Sequence, residues 1–223
     1  MLALKLGKSL SSSRNPYWLP TDESSLVAWY RKGSEITLNG SDVSSWGDSS
    51  SNGLDMVQAT ASEQPSFSNN ILTFDSANTQ NLQTSGQISL TGDFMVGIRF
   101  NPSAFTGVIL GDNTSTGEFF KLTANDTIRV KIDATSLDLT LPSGSWGDDY
   151  MVIGRASGLV VLYYNGAFID TTGGNLTGTA DIDTIGVRRV DLNPYDGTIT
   201  EIQIYNSFDA NLVAKINTRL APL

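Results

Sequence analysis

The 223-residue sequence contains no cysteine and no histidine. Without cysteine the chain can form neither a disulfide framework nor a reactive thiol, and this composition fits folding in a reducing cytoplasm. Without histidine it lacks the usual general base at neutral pH and the most common transition-metal ligand. A nucleophile of the Ser-His or Cys-His kind is therefore excluded.

The chain is also poor in charge and in long apolar runs. Charged residues make up 17% of it, hydrophobic residues make up 39%, and the net charge is −9, which is typical of a globular domain with a core. An acidic chain is a poor partner for nucleic-acid phosphates. No segment approaches the roughly 18 apolar residues that span a membrane. Lys5 and Lys8 interrupt the first apolar residues, so we expect no signal peptide. The sequence therefore predicts no binding to nucleic acid or membrane.

Turn-forming residues are plentiful. The chain has 21 glycines and is rich in Ser, Thr, Asn and Asp, which indicates many short turns of the kind found in all-β folds. Between these turns lie strand patterns, and residues 94–100 alternate so that Phe94, Val96, Ile98 and Phe100 share one face. Asn165-Gly166, between two apolar runs, predicts a type I′ hairpin turn. We expect one large antiparallel domain.

The C-terminal stretch combines a strand with a helix. Asp196-Gly197 predicts a turn, and the residues after it are rich in Ile, Thr and Tyr, as in a half-buried strand. Asp209 can accept hydrogen bonds from the first backbone N–H groups of a helix. Apolar residues then follow at helical spacing: Leu212, Val213, Ile216 and Leu220.

Two stretches together resemble one family. The C-terminal strand and helix resemble the ending of laminin G-like domains in the concanavalin A-like lectin/glucanase superfamily, where the helix plugs one end of a sandwich. Residues 24–67 are similar to the opening of bacterial and bacteriophage domains of this family. The matched positions are Leu26, Trp29, Tyr30, Val43, Trp46, Asp48, Ser51, Asn52, Gly53, Asp55, Gln58 and Pro65. The resemblance covers roughly residues 24–220.

The resemblance implies an all-β fold. We expect a two-sheet antiparallel β-sandwich, a jelly roll of the concanavalin A-like type, with a short C-terminal helix and an N-terminal arm. The predicted boundaries are 1–23 for the arm and 24–223 for the laminin G-like domain. Trp29 and Trp46 are predicted core anchors. Residues 48–53 are predicted to form a surface loop held by Asx-type hydrogen bonds.

The catalytic chemistry of the superfamily is not found in the sequence. Its glucanases use paired carboxylates along one strand, and this chain has no such motif. The nearest acidic pairs are Asp148-Asp149 and Asp181-x-Asp183, both of which we expect in turns. Laminin G-like domains often hold calcium, but no ligand motif transfers to this chain. We therefore expect no enzymatic activity, no catalytic residues, no cofactor and no metal.

Residues 1–20 differ from the rest because they contain three basic residues and no acidic one. The remaining 203 residues have all 23 acidic residues and a net charge of −12. One interpretation is a frayed terminus, or an edge strand laid on the domain. The other is an arm that docks on a neighbouring subunit by strand addition. The candidate docking residues are Leu2, Leu4, Lys5, Leu6, Lys8, Leu10 and Arg14.

The sequence leaves two hypotheses for the function. The main hypothesis is a structural virion protein, a capsid decoration, cement or tail-attached protein that docks through its arm on other virion proteins and could form a homo-oligomer. It would be made in the host cytoplasm and reside in the virion. The alternative is a carbohydrate-binding module or adhesin that contacts surface glycans. Sugar binding would use an aromatic platform near Asn and Asp; Trp146 and Tyr195 are candidates, although the family usually buries both positions.

Overall fold

A computed structural model of the chain describes residues 18–113, 118–133, 135–141, 144–172, 176–188 and 191–223. Short 3-10 helices lie at Pro20–Asp22, Ala61–Glu63 and Ser76–Asn78, and one α-helix, α1, at Ala210–Leu220. Within these residues no helix has the length and apolar character needed to cross a membrane. The strands are β1 (Leu26–Tyr30), β2 (Ile36–Asn39), β3 (Asp42–Trp46), β4 (Met56–Val57), β5 (Ser66–Ser68), β6 (Ile71–Phe74), β7 (Leu82–Thr91), β8 (Phe94–Pro102), β9 (Gly107–Gly111), β10 (Phe119–Ala124), β11 (Thr127–Ile132), β12 (Thr135–Thr140), β13 (Asp149–Ala156), β14 (Leu159–Tyr164), β15 (Ala167–Thr172), β16 (Thr179–Ile185) and β17 (Gly197–Tyr205).

The strands form two antiparallel layers. In the first layer, β17 pairs with β8 on one side and with β1 and β6 on the other, and β13, β14 and β15 follow β8. In the second layer the order is β12-β11-β10-β9-β16-β7, followed by β4, β3 and β2. Strand β5 pairs with β6 and touches β3 through one residue pair. The predicted all-β sandwich is confirmed.

The core lies between the two layers. Phe94, Val96, Ile98 and Phe100 of β8 point into it, as their alternation predicts. On the facing layer, β11 buries Ile128, Val130 and Ile132 and turns its basic residues outward. Trp46 is also fully buried in this core, which confirms its predicted role as an anchor.

Helix α1 lies on the outer face of the first layer. Asp209 caps it by accepting hydrogen bonds from the N–H groups of Asn211 (2.7 Å) and Leu212 (3.0 Å), as predicted. The apolar face of α1 packs on a separate cluster with Met95, Val152 and Tyr205. The expectation that the helix plugs one end of the sandwich is therefore wrong. It covers β8 and β13, where Gly97 leaves room for Ile216 of α1 and Gly154 leaves room for Phe208, just before the helix.

The position of Trp29 differs from its predicted role as a core anchor. Trp29 is buried, with 3% of its surface exposed, but it lies outside the core between the layers. Its indole N–H donates to Glu201 (2.9 Å), and the guanidinium of Arg219 lies 4.6 Å from the centre of its ring. Trp29 thus anchors the last turn of α1 to the outer face of β17 rather than filling the core.

The loop at residues 48–53 has the predicted hydrogen-bond network. Asp48 accepts from the N–H groups of Trp29 (2.9 Å) and Ser50 (2.8 Å), and the Asn52 amide donates to the carbonyl of Val27 (2.8 Å). These bonds tie the loop to β1, so the polar residues of the loop have a structural role.

Candidate functional site

The two aromatic residues that the sequence offers as a sugar platform are buried. Trp146 is 3% exposed and packs against Phe100 and Tyr164 in the core. Tyr195 is fully buried, and its hydroxyl donates to the carbonyl of Thr198 (3.2 Å). Neither side chain can stack on a ligand, so the expectation that both are core residues is confirmed.

A different aromatic pair, with one ring exposed and the other half-buried, lies at the β14–β15 hairpin. The turn residues Asn165 (φ 47°) and Gly166 (φ 83°) both have positive φ, as the predicted type I′ turn requires. The turn places Tyr163 directly opposite Phe168 in the pairing register. Their ring centroids are 5.4 Å apart, and their planes meet at 70°. Phe168 is 53% exposed, more than any other large hydrophobic side chain in the described part of the chain.

Tyr150 extends this surface onto β13. A Cβ atom added at Gly166 would lie 3.2 Å from the Tyr150 hydroxyl, so the tyrosine lies beside the hairpin turn. Tyr150 and Tyr163 are each half-buried against the apolar cluster under α1, which holds one side of each ring. We call Tyr150, Tyr163 and Phe168 the aromatic platform. It has two phenol hydroxyl groups beside an exposed apolar ring.

The turn that supports the platform is fixed by hydrogen bonds. Asp149 accepts from the Tyr164 hydroxyl and from the Asn165 side-chain amide (2.6 Å). The Asn165 side-chain oxygen accepts in turn from the backbone N–H of Tyr150 (3.1 Å). Burial and the hydrogen bond that Asp149 accepts raise the pKa of Tyr164. The hairpin is therefore held in place before any ligand arrives, which lowers the entropy lost on binding.

The outer face of the second layer has a cluster of carboxylates. Asp181 and Asp183 lie within β16 and not in a turn as expected; Asp149, from the other acidic pair, begins β13. Asp181 accepts from Ser89 (2.6 Å), while Asp183 accepts from the Gln83 amide (3.2 Å) and the Asn113 N–H (2.7 Å). Both Asp181 and Asp183 are thus engaged in structural hydrogen bonds.

Burial changes the titration of this cluster. Burial raises the pKa of Asp183, and the nearby carboxylate of Asp112 adds to the effect. Burial likewise raises the pKa of Glu118, with smaller contributions from Asp112 and Asp181. Among the described residues, no group of three or more acidic side chains is arranged to hold a metal ion. The arrangement offers buried acids but no metal site among those residues.

A small cavity of about 310 Å³ lies where β7 and β13 end. Arg155, 2% exposed, lines it and donates to the backbone carbonyls of Leu90 (3.3 Å), Leu176 (3.3 Å) and Gly178 (2.9 Å), and also to that of Gly92. Its guanidinium therefore ties the ends of both layers together. Because nearly all of its N–H groups are used in this way, we assign it a structural role.

The aromatic platform was missed in the sequence although the sequence contains its signal. A two-residue turn at Asn165-Gly166 makes Tyr164 and Ala167 neighbours, and so Tyr163 and Phe168 face each other one step further from the turn. The docking residues Leu2, Leu4, Lys5, Leu6, Lys8, Leu10 and Arg14 all lie outside the described residues. The arm boundary at residue 23 likewise stays a prediction.

No protein-family model matches the chain, and no curated protein sequence matches it. Several solved structures are similar. Domain 4 of AbnA, a GH43 extracellular arabinanase from Geobacillus stearothermophilus solved with arabinotriose, has a TM-score of 0.53 and 16% identity over 86% of this chain and 98% of that chain. Trypanosoma rangeli sialidase has a TM-score of 0.58 and 17% identity over 89% of this chain.

The chain spans only 33% of the length of that sialidase. The CBM40 of Ruminococcus gnavus IT-sialidase, bound to α2,3-sialyllactose, has a TM-score of 0.44 and 16% identity over 56% of this chain and 82% of that chain. At these identities a likeness shows the fold alone. The chain has the β-sandwich fold of the arabinanase domain and of part of the sialidase.

Proposed function

We propose that this protein is a non-catalytic glycan-binding module whose ligand stacks on the aromatic platform. The edge-to-face pair of half-buried Tyr163 and exposed Phe168 is the observation that carries this proposal. A sugar ring has an apolar face of C–H groups and a polar rim of hydroxyls. An exposed aromatic ring beside hydroxyl and amide groups complements both features.

The similar structures support the choice of ligand class. The arabinanase domain, almost all of which aligns with this chain, was solved with a bound trisaccharide. Because the likeness extends to the fold only, it does not identify the sugar or the binding surface. It makes arabinotriose a reasonable first probe.

The chemistry of the chain supports a non-catalytic role. Most glycoside hydrolases use two carboxylates that flank one glycosidic bond. Asp181 and Asp183 both accept structural hydrogen bonds, and Asp149 fixes the hairpin. The chain has no histidine or cysteine to serve in their place.

The finer assignment, a laminin G-like virion protein of bacteriophage type that docks on capsid or tail subunits, stays a prediction. Its arm lies outside the described residues, and the similar structures named above are domains or parts of enzymes. Glycan binding would be compatible with such a role as a host-surface contact, but it does not depend on it. Location in a virion and homo-oligomer formation are likewise predictions.

The proposal predicts a loss of glycan binding when the platform is truncated. The full chain would be applied to a glycan array that includes arabino-oligosaccharides, and the best ligand then titrated by calorimetry. Phe168→Ala and Tyr163→Ala should each weaken binding about tenfold, the loss expected for about 1–1.5 kcal/mol of aromatic contact. Phe105→Ala is the matched control, because Phe105 is also an exposed aromatic residue (39%) but lies outside the platform.

Two results would overturn the proposal. One is the absence of binding to any glycan by a correctly folded chain. The other is glycan binding that the Phe168→Ala and Tyr163→Ala variants leave unchanged. In the second case the module would bind sugar elsewhere, and the cavity beside Arg155 would be the next region to test.

A further inference from the structure

An apolar groove of about 600 Å³ runs between the start of the described chain and α1. Trp18 and Leu19, Ala214 and Thr218 of α1, and Pro222 and Leu223 after the helix are among the residues that line it. The groove lies beside the face of α1 that buries Leu212, Val213 and Ile216, because Trp18 and Leu223, which line it, pack against that buried cluster. It is separate from the aromatic platform.

The charged groups at the groove are already engaged. The Lys215 ammonium pairs with Glu23 (2.6 Å) and lies 5.9 Å from the centre of the Trp18 ring. Arg219 pairs with Glu201 (2.5 Å). Since both cations have carboxylate partners, the groove offers chiefly apolar surface and the hydrophobic stems of these side chains. Its natural occupant is an apolar segment of polypeptide.

We propose that residues 1–17 of the same chain occupy this groove. Trp18, the first described residue, is itself part of the groove wall, so the preceding segment is attached at the site. Leu2, Leu4 and Leu6 alternate with other residues and would share one face of an extended segment. Seventeen residues reach about 55 Å when extended, so length does not limit access to the groove.

Attachment and charge both favour this occupant over a second molecule. A short tether raises the effective concentration of the segment to the millimolar range. Residues 1–17 contain Lys5, Lys8 and Arg14 and no acid, whereas the rest of the chain has a net charge of −12. The two parts therefore attract each other through long-range electrostatics. An arm held in this way must leave the groove before it can add as a strand to a sheet of a neighbouring subunit. Intramolecular docking therefore competes with the predicted docking on a neighbouring subunit.

The absence of cysteine makes the proposal testable by cross-linking in the full chain. A Leu6→Cys, Thr218→Cys variant places one thiol on the segment and one on an exposed position of α1 at the groove. The control is Leu6→Cys, Ser136→Cys, because Ser136 is exposed on β12 in the other layer. Mild oxidation should give about tenfold more intramolecular disulfide in the first variant, since a docked segment has a much higher local concentration near Thr218.

Trp18 provides a second readout without cysteines. It is only half-buried, whereas the other three tryptophans are at most 3% exposed, so it dominates quenching by acrylamide. Leu4→Asp, Leu6→Asp should increase the quenching constant if the segment shields Trp18. Equal cross-linking of the two cysteine pairs would overturn the proposal. So would disulfide-linked dimers as the main product, which would assign the groove to a second copy. These outcomes are independent of glycan binding.

Discussion

At the scale of single residues, the most constrained side chain is Glu201. It is fully buried on the outer face of β17, where it accepts from the Trp29 indole (2.9 Å), the Gln203 amide (2.9 Å) and Arg219 (2.5 and 3.0 Å). Removing one partner of such a pair leaves a buried charge without compensation, which costs more than the pair contributes when intact. This network fixes the last turn of α1 to the sheet.

Glu201→Gln should therefore lower the free energy of unfolding by about 3–5 kcal/mol, as measured by urea denaturation. Asp138→Asn is the matched control. It breaks the Arg129–Asp138 pair, whose side chains are 42% exposed, and should cost at most about 1 kcal/mol. Equal effects of the two substitutions would show that the buried network adds nothing beyond an ordinary surface pair.

The buried acids of the second layer predict a pH dependence. An acid with a raised pKa in the folded state binds more protons when folded than when unfolded, so its contribution to stability falls as pH rises through the window between the two pKa values. Because burial raises the pKa of Asp183, the penalty is complete above its folded-state pKa. Asp183→Asn should raise the melting temperature, relative to the parent, more at pH 8 than at pH 4.

The contribution of Asp138 to stability has the opposite pH dependence, so Asp138 serves as the control. Its hydrogen bond to Arg129 lowers the pKa of Asp138, so the stability that it contributes is present above the unfolded-state pKa and is lost as pH falls. Asp138→Asn should thus be more harmful at pH 8 than at about pH 2, because the contribution of Asp138 is lost only below its unfolded-state pKa. If Asp183→Asn is equally harmful at pH 4 and at pH 8, the hydrogen bonds that Asp183 accepts from Gln83 and Asn113 outweigh the cost of burying its charge.

At the scale of elements, the position of α1 is the feature that sequence patterns described least well. The cap at Asp209 and the spacing of Leu212, Val213, Ile216 and Leu220 predict the helix itself. They do not say which surface it covers. Gly97 in β8 and Gly154 in β13 do contain that information, since a glycine inside a strand often marks the close approach of another element. An added Cβ would lie 2.4 Å from Ile216 at the first position and 2.8 Å from Phe208 at the second.

Gly97→Ala should displace α1 and destabilise the protein by about 1–3 kcal/mol, as overpacking does. In a Gly97→Ala, Ile216→Ala double variant the new methyl group has room. The double variant should therefore be more stable than the sum of the two single effects by about 1 kcal/mol or more in chemical denaturation. Additive effects would mean that the helix does not press on β8 at this glycine.

At the scale of the whole molecule, strand patterns and turn chemistry predict one large antiparallel domain, and the resemblance to laminin G-like domains implies the two-sheet sandwich. Phe94 to Phe100 alternate cleanly, and Asn165-Gly166 fixes a hairpin, because both signals depend on local geometry. The exposed platform depends on register across the hairpin, and the Trp29–Glu201 contact joins residues 172 positions apart. Pairing between distant segments of that kind is not encoded in local periodicity, which explains why Trp29 was assigned to the core.

The first and last described residues meet at one place. Trp18 and Leu223 line the same groove, the Lys32 ammonium donates to the carbonyl of Leu223 (2.5 Å), and β1 pairs with β17. Polypeptide attached on either side would enter and leave the sandwich at a single point. The domain can thus be inserted into a surface loop of another protein. Its ends can also be joined by a short linker and new termini opened in another loop, with the hairpin at Asn165-Gly166 left intact.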